Sequence, residues 1–100
     1  MPDFYVSTHW RVKSDQETAF VNTWREALTW TKSAYPQLEH ARLLRDEDDA
    51  SHFVSFLEWA DSETVDKWSA DPEKERRQET LNTMCDSVDG GGYEEATRVG

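Results

Sequence analysis

Residues 52–59, HFVSFLEW, restrict most tightly what this chain can become. In a strand, alternate side chains point to opposite sides, so Phe53, Leu57 and Trp59 share one face and Val54 and Phe56 the other. A strand that is apolar on both faces belongs in the middle of a sheet, and both faces of that sheet then need a cover. The rest of the chain has to supply the neighbouring strands and at least one of the covers.

FYVSTHWRVK, from Phe4, alternates in the same way. Phe4, Val6, Thr8, Trp10 and Val12 fall on one face, and Tyr5, Ser7, His9 and Arg11 on the other. SDQE then reads as a capping box, with Ser14 as the cap and Glu17 reaching back. A helix is predicted to follow, with Phe20, Val21, Trp24, Ala27, Leu28 and Thr31 on its inward stripe and Trp30 on the flank. Pro36 ends it by pushing Tyr35 out of the helical region. LEHARLLR is the second strand and DEDDAS its polar turn into HFVSFLEW.

After Trp59, either Asp61 or Ser62 caps a second helix, and DPEKE restarts it with Asp71 as cap and Pro72 at the first helical position. Arg77, Leu81, Met84 and Val88 continue one helical face, with Cys85 inside that apolar stretch in a structural role. Asp89 to Gly92, DGGG, reads as a loop, and YEEATRV as a last strand with an edge-like charge pattern. The order is β-α-β-β-α-β, the α+β ferredoxin-like arrangement: an antiparallel sheet with both helices on one side. Residues 1–100 are expected to form a single domain of this kind. The helix-free face keeps Tyr5, His9, Val54 and Phe56, and a second copy packed sheet to sheet, a homodimer, would cover them.

Charge removes several classes of partner. At a formal −10, with no Lys/Arg cluster, the chain cannot displace counterions from a phosphate backbone, so neither nucleic acid nor an anionic membrane surface is expected. RLLRDEDD and EKERR mix both signs and read as solvated faces. Twelve per cent of the residues are aromatic, five of them tryptophan, which argues for a compact core despite the charge. There is no long apolar run or lipidation motif, and a lone cysteine cannot form an internal disulfide; a cytoplasmic location is expected.

WRVKSDQETAFVNTW, ARLLRDEDDASHFVSFLEW and DKWSADPE, in that order and spacing, resemble the antibiotic biosynthesis monooxygenase domain family, whose fold is a dimeric α+β barrel. The resemblance runs from about Phe4 to Val99. It implies a small monooxygenase in which an electron-rich aromatic, quinol or polyketide-type substrate reacts with dioxygen, without metal, flavin or other cofactor. Such a substrate would lie between the helices and the sheet. By the same resemblance Trp68 and Trp24 match aromatic residues of that pocket, and Thr8 stands where haem-degrading members carry an asparagine. Trp59, at the end of its strand, looks like a framework residue.

The residues add their own candidates. Arg77 sits on an apolar helical stripe, so its guanidinium either snorkels to the rim or points into the pocket at an anionic or enolic oxygen. Thr8 and Asn22 are small hydrogen-bonding groups near the expected wall, and Gln78, Trp10 and Met84 are further candidates for contact with a ligand or for filling the space. No general base stands on this face. Haem-degrading members would require an axial histidine nine or ten residues after Trp68, where this chain has Arg77 and Gln78, so haem breakdown is not expected. His9, His40 and His52 fall on separate strands without metal-site spacing. The alternative is a non-catalytic dimeric module that binds a small molecule or accompanies a pathway enzyme. Whether the helix–sheet space is open, or filled by Trp10, Phe20, Trp24 and Met84, separates the two.

Overall fold

A computed structural model describes residues 3–100. The elements are β1 (Phe4–Val12), α1 (Glu17–Ala34), β2 (Leu38–Arg45), β3 (His52–Trp59), α2 (Ser62–Ser69), α3 (Pro72–Thr83) and β4 (Cys85–Glu94). The four strands form one antiparallel sheet in the order β2-β3-β1-β4. This is the expected ferredoxin-like topology, with HFVSFLEW in an interior position. Trp10 lies opposite Phe53, and Phe4 opposite Trp59, so the apolar sides of β1 and β3 coincide. Under the helices Phe20, Phe53, Trp59 and Leu38 are each less than 2% exposed, as a core at interior packing density requires.

Three local expectations are corrected. Ser14 does not cap α1. The chain turns at Asp15, whose φ of 68° is left-handed, and the cap position falls on Gln16 without a side-chain bond. Glu17 is thereby the first helical residue and accepts instead from the Ser51 hydroxyl at 3.4 Å. The second helix is two helices. Asp61 caps α2 by accepting from the Thr64 N–H at 2.7 Å, Asp71 caps α3 by accepting from the Glu73 N–H at 2.8 Å, and Pro72 opens α3.

The third correction matters most for the site. The helix stops at Thr83, so Cys85 and Val88 are strand residues, and Asp89 to Gly92 lie within β4 rather than in a loop. Tyr93 and Glu94 close that strand, and ATRV lies outside any regular element. Ladder bonding to β1 overrides the poor strand propensity of three consecutive glycines. Cys85 is buried at the start of the strand, and burial pushes its thiol up to about 11, which leaves it inert at neutral pH.

Candidate functional site

A cavity of about 390 Å³ lies between the helices and the sheet. Its existence follows from β4. The residues of β4 opposite Trp10, Thr8 and Val6, and therefore on the helix side, are Val88, Gly90 and Gly92. Two of these three positions carry no side chain, so the sheet leaves space under the helices where a complete strand would fill it. A Cβ added at Gly90 would meet Thr8 Oγ1 at 2.8 Å, whereas one at Gly92 would meet nothing within 4 Å.

The aromatic residues divide this layer into two parts. Phe20 packs against Trp10 and Phe53 with ring centroids 5.2 and 5.3 Å away, and this cluster fills one end. The other end stays open, walled by Trp24 and Trp30 of α1 and Trp68 of α2. Trp68 leans on Trp59 at 5.1 Å; Trp59 is wholly buried, while Trp68 is 7% exposed and faces the cavity. The floor carries two hydroxyls. Ser55 Oγ accepts from the Trp10 indole N–H at 3.0 Å, which fixes that ring, and Thr8 stands beside Gly90. The buried Trp68 N–H has no acceptor among the described residues.

The third wall is α3, which presents Lys74, Arg77, Gln78 and Leu81 to the cavity at helical spacing. Arg77 lies over Trp30, 5.5 Å from the ring centroid, with Nε 2.8 Å from Glu73 Oε2. That N–H is not aimed at the carboxylate, so the contact is an ion pair without a hydrogen bond. Lys74 lies over Trp68, its Nζ 4.7 Å from the ring centroid. Burial pulls its amine below the usual lysine value, partly opposed by the negative charge of Glu75. No Asp, Glu or His lines the cavity among the described residues.

The position of α3 is fixed from α1. Tyr35, the cap residue at the end of α1, donates its hydroxyl to Asp71 Oδ2 at 2.5 Å, while the other Asp71 oxygen caps α3. The Tyr35 hydroxyl and the backbone N–H groups hold the Asp71 carboxyl below its ordinary value, and the same carboxylate raises the Tyr35 phenol.

Of the residues singled out in the sequence, Thr8, Trp10, Trp24, Trp68, Arg77 and Gln78 come together around this space. Asn22 does not. It lies exposed on α1 and accepts from Arg25 Nη1 at 3.0 Å, because two positions before Trp24 is nearly the opposite side of a helix. Met84 also stays outside, since α3 ends before it and its side chain packs on the core. Trp30 and Lys74 line the cavity unforeseen. EKERR was expected to be a solvated face, yet its one lysine turns inward beside Arg77; the i, i+3, i+7 spacing of Lys74, Arg77 and Leu81 was the available signal.

The histidines, separated in sequence, are partly joined by the sheet. On its open face His9 Nδ1 lies 2.9 Å from His52 Nε2, and His52 Nδ1 lies 2.9 Å from Asp46 Oδ2, which together with backbone N–H groups holds the Asp46 carboxyl low. Asp3, Glu39 and Glu58 bring carboxylate oxygens within 4.8 Å of one another. Both groups lie outside the cavity. Among the described residues no helix is long and apolar enough to cross a membrane.

With this arrangement in view, the class is clear. Residues 3–80 match the antibiotic biosynthesis monooxygenase family, and the chain belongs to it. Its fold is similar to that of SnoaB, a cofactor-independent oxygenase from Streptomyces nogalater, with a TM-score of 0.86 at 15% identity over 99% of this chain and 97% of that one. A crystallised antibiotic biosynthesis monooxygenase gives 0.76 at 22% identity over 96% and 99%. A dimeric ferredoxin-like protein of unknown function from Jannaschia sp. CCS1 gives 0.77 at 14% identity over 93% and 99%. At such identities the likeness is one of fold. No curated protein matches the sequence.

Proposed function

We propose that this protein is a small homodimeric monooxygenase that takes an electron-rich aromatic, quinol or polyketide-type substrate and dioxygen into the helix–sheet cavity. The observation that carries the reading is the cavity itself, open in a molecule with five tryptophans and lined by four of them. A planar ligand would lie against Trp24 and Trp68. The Thr8 hydroxyl would hydrogen-bond a substrate oxygen, Arg77 and Gln78 would hold the edge nearest α3, and Trp10 would support the ring from below. Family membership and the likeness to a cofactor-independent oxygenase support an oxidation in which the substrate supplies the electrons.

In that chemistry a phenolate or enolate gives one electron to dioxygen, leaving a substrate radical and superoxide, and their combination forms the carbon–oxygen bond. Loss of water from the resulting peroxide at a ring CH₂ carbon leaves one oxygen atom as a carbonyl. The protein would exclude water, orient the rings and stabilise the anion through fixed positive charge. One observation favours the second reading, a non-catalytic ligand-binding module: among the described residues no carboxylate or imidazole lines the cavity to take the substrate proton.

A panel of quinols and hydroxyanthrones, followed by tryptophan quenching and by an oxygen electrode, tests both readings. Saturable quenching with oxygen uptake that Trp68→Ala abolishes is the expected result. Saturable quenching without uptake would leave the binding module, and no quenching at all would overturn both.

A further inference from the structure

We infer that the cavity selects aromatic ligands bearing an anionic group, and that Lys74 is the residue that reads that charge. The inference rests on the reading of the cavity as an aromatic site and names the class of ligand it prefers.

The two cations of the cavity are differently committed. Arg77 already has Glu73 as an ion-pair partner and rests on the Trp30 ring. Lys74 has no carboxylate within salt-bridge distance and makes no hydrogen bond among the described residues. Its ammonium is held over the Trp68 ring, partly buried, where a cation–π contact is its visible compensation. An ammonium partly withdrawn from water, with an indole as its contact and no carboxylate in salt-bridge distance, is a strong site for a ligand carboxylate or phenolate. Among the described residues the rest of the lining contains no acid that could satisfy it instead.

The overall charge sharpens the point. At −10 the molecule repels anions at long range, so a preference for an anion has to arise locally. Lys74 and Arg77 stand one turn apart on α3 and face the same space; Glu73 pairs directly with the second, while Glu75 acts on the first only through its charge, without a salt bridge. A ring resting on Trp68 would place a substituent on its edge within reach of the amine above that indole. The Trp68 N–H, buried and without an acceptor, lies in the same wall.

The test uses a matched pair of probes, 2-naphthoate and 2-naphthamide, which share ring and size and differ in charge. Their dissociation constants are measured by tryptophan quenching with the full chain, its Lys74→Met and Lys74→Arg variants, and Arg77→Met. Methionine keeps an unbranched stem over Trp68, so the ring wall persists, and naphthamide affinity reports directly that it does. The expected result is a preference for naphthoate of roughly tenfold, the scale of one charge-assisted hydrogen bond. Lys74→Met should erase it with naphthamide unchanged, and Lys74→Arg should restore most of it. In the unmodified protein the preference should fade as pH rises through the lowered lysine value, where the cation is lost.

Equal affinity for both probes would overturn the inference and leave the aromatic site standing. Preference that survives Lys74→Met but disappears in Arg77→Met would overturn the assignment to Lys74. Failure of both probes to bind would overturn the inference together with the reading of the cavity.

Discussion

On its helix side the sheet carries Trp10, Phe53, Leu57 and Trp59, each no more than 5% exposed. On its other side stand Leu44, Phe56 and Tyr93, exposed by 51%, 41% and 61%. The same strand, β3, supplies residues to both faces, so hydrophobicity alone does not separate them. What separates them is the cover. Among the described residues α1, α2 and α3 all lie on one side, and on the other only Arg98 of the C-terminal segment reaches over the edge, toward Glu58. The covered side is incompletely filled, because β4 withholds side chains at Gly90 and Gly92. One face therefore encloses a cavity, and the other exposes apolar side chains.

The sharpest way to break that contrast is through the paired indoles under the helices. Trp59→Ala removes a fully buried ring and should cost about 3–5 kcal/mol in denaturant unfolding. Trp68→Ala removes a ring that borders empty space and has fewer contacts to lose, so it should cost clearly less while abolishing ligand binding. Equal losses of stability in the two melts would make both indoles core and dissolve the distinction between packing and site.

Next in size is the open face. If two sheets meet there by a twofold axis, Phe56→Glu introduces two buried charges at once, and sedimentation should change from dimer to monomer at micromolar concentration. A protein that sediments as a monomer before substitution would show that the exposed face needs no partner.

Gly92→Val probes the covered face from within. Nothing lies within 4 Å of the added Cβ, and Gly92 has an ordinary negative φ, so the fold should persist with stability changed by no more than about 1 kcal/mol. Quenching by ring ligands should nevertheless weaken, because the valine occupies cavity space. Unchanged affinity would move the binding site away from β4.

The smallest effect is acid sensitivity. Asp61 and Asp71, the two helix caps, both have carboxyls held below 3.8 in the folded protein by hydrogen bonds they accept. A depressed folded value means that their stabilisation is fully present above the unfolded value and is lost as pH falls through the folded one. Unfolding free energy should decline below about pH 4, and Tyr35→Phe, which removes one donor to Asp71, should flatten that decline in a pH series of melts. A slope indifferent to Tyr35 would mean that the α1–α3 tie does not hold the cap.

Periodicity was enough to determine the element order and the central place of HFVSFLEW, because a strand apolar on two sides has few other homes. The cap at Asp71, with Pro72 at the first turn, was readable for the same local reason, an acceptor followed by a helical stripe, whereas the choice of Asp61 over Ser62 was left to the structure. Thr8, Trp24 and Trp68 stood out through the family resemblance, and Arg77 through its place on an apolar helical stripe. Tertiary structure decided the rest. DGGG looks like a loop until β1 hydrogen-bonds it into a strand, and only that pairing turns missing side chains into a cavity. Lys74 reads as one charge among five in EKERR, and its direction is set by where Tyr35 and Asp71 anchor α3. His9 and His52 met only through the β1–β3 register. Local rules fix what each segment is; long-range pairing fixes which side chains it withholds and which it presents, and that is where the candidate site lies.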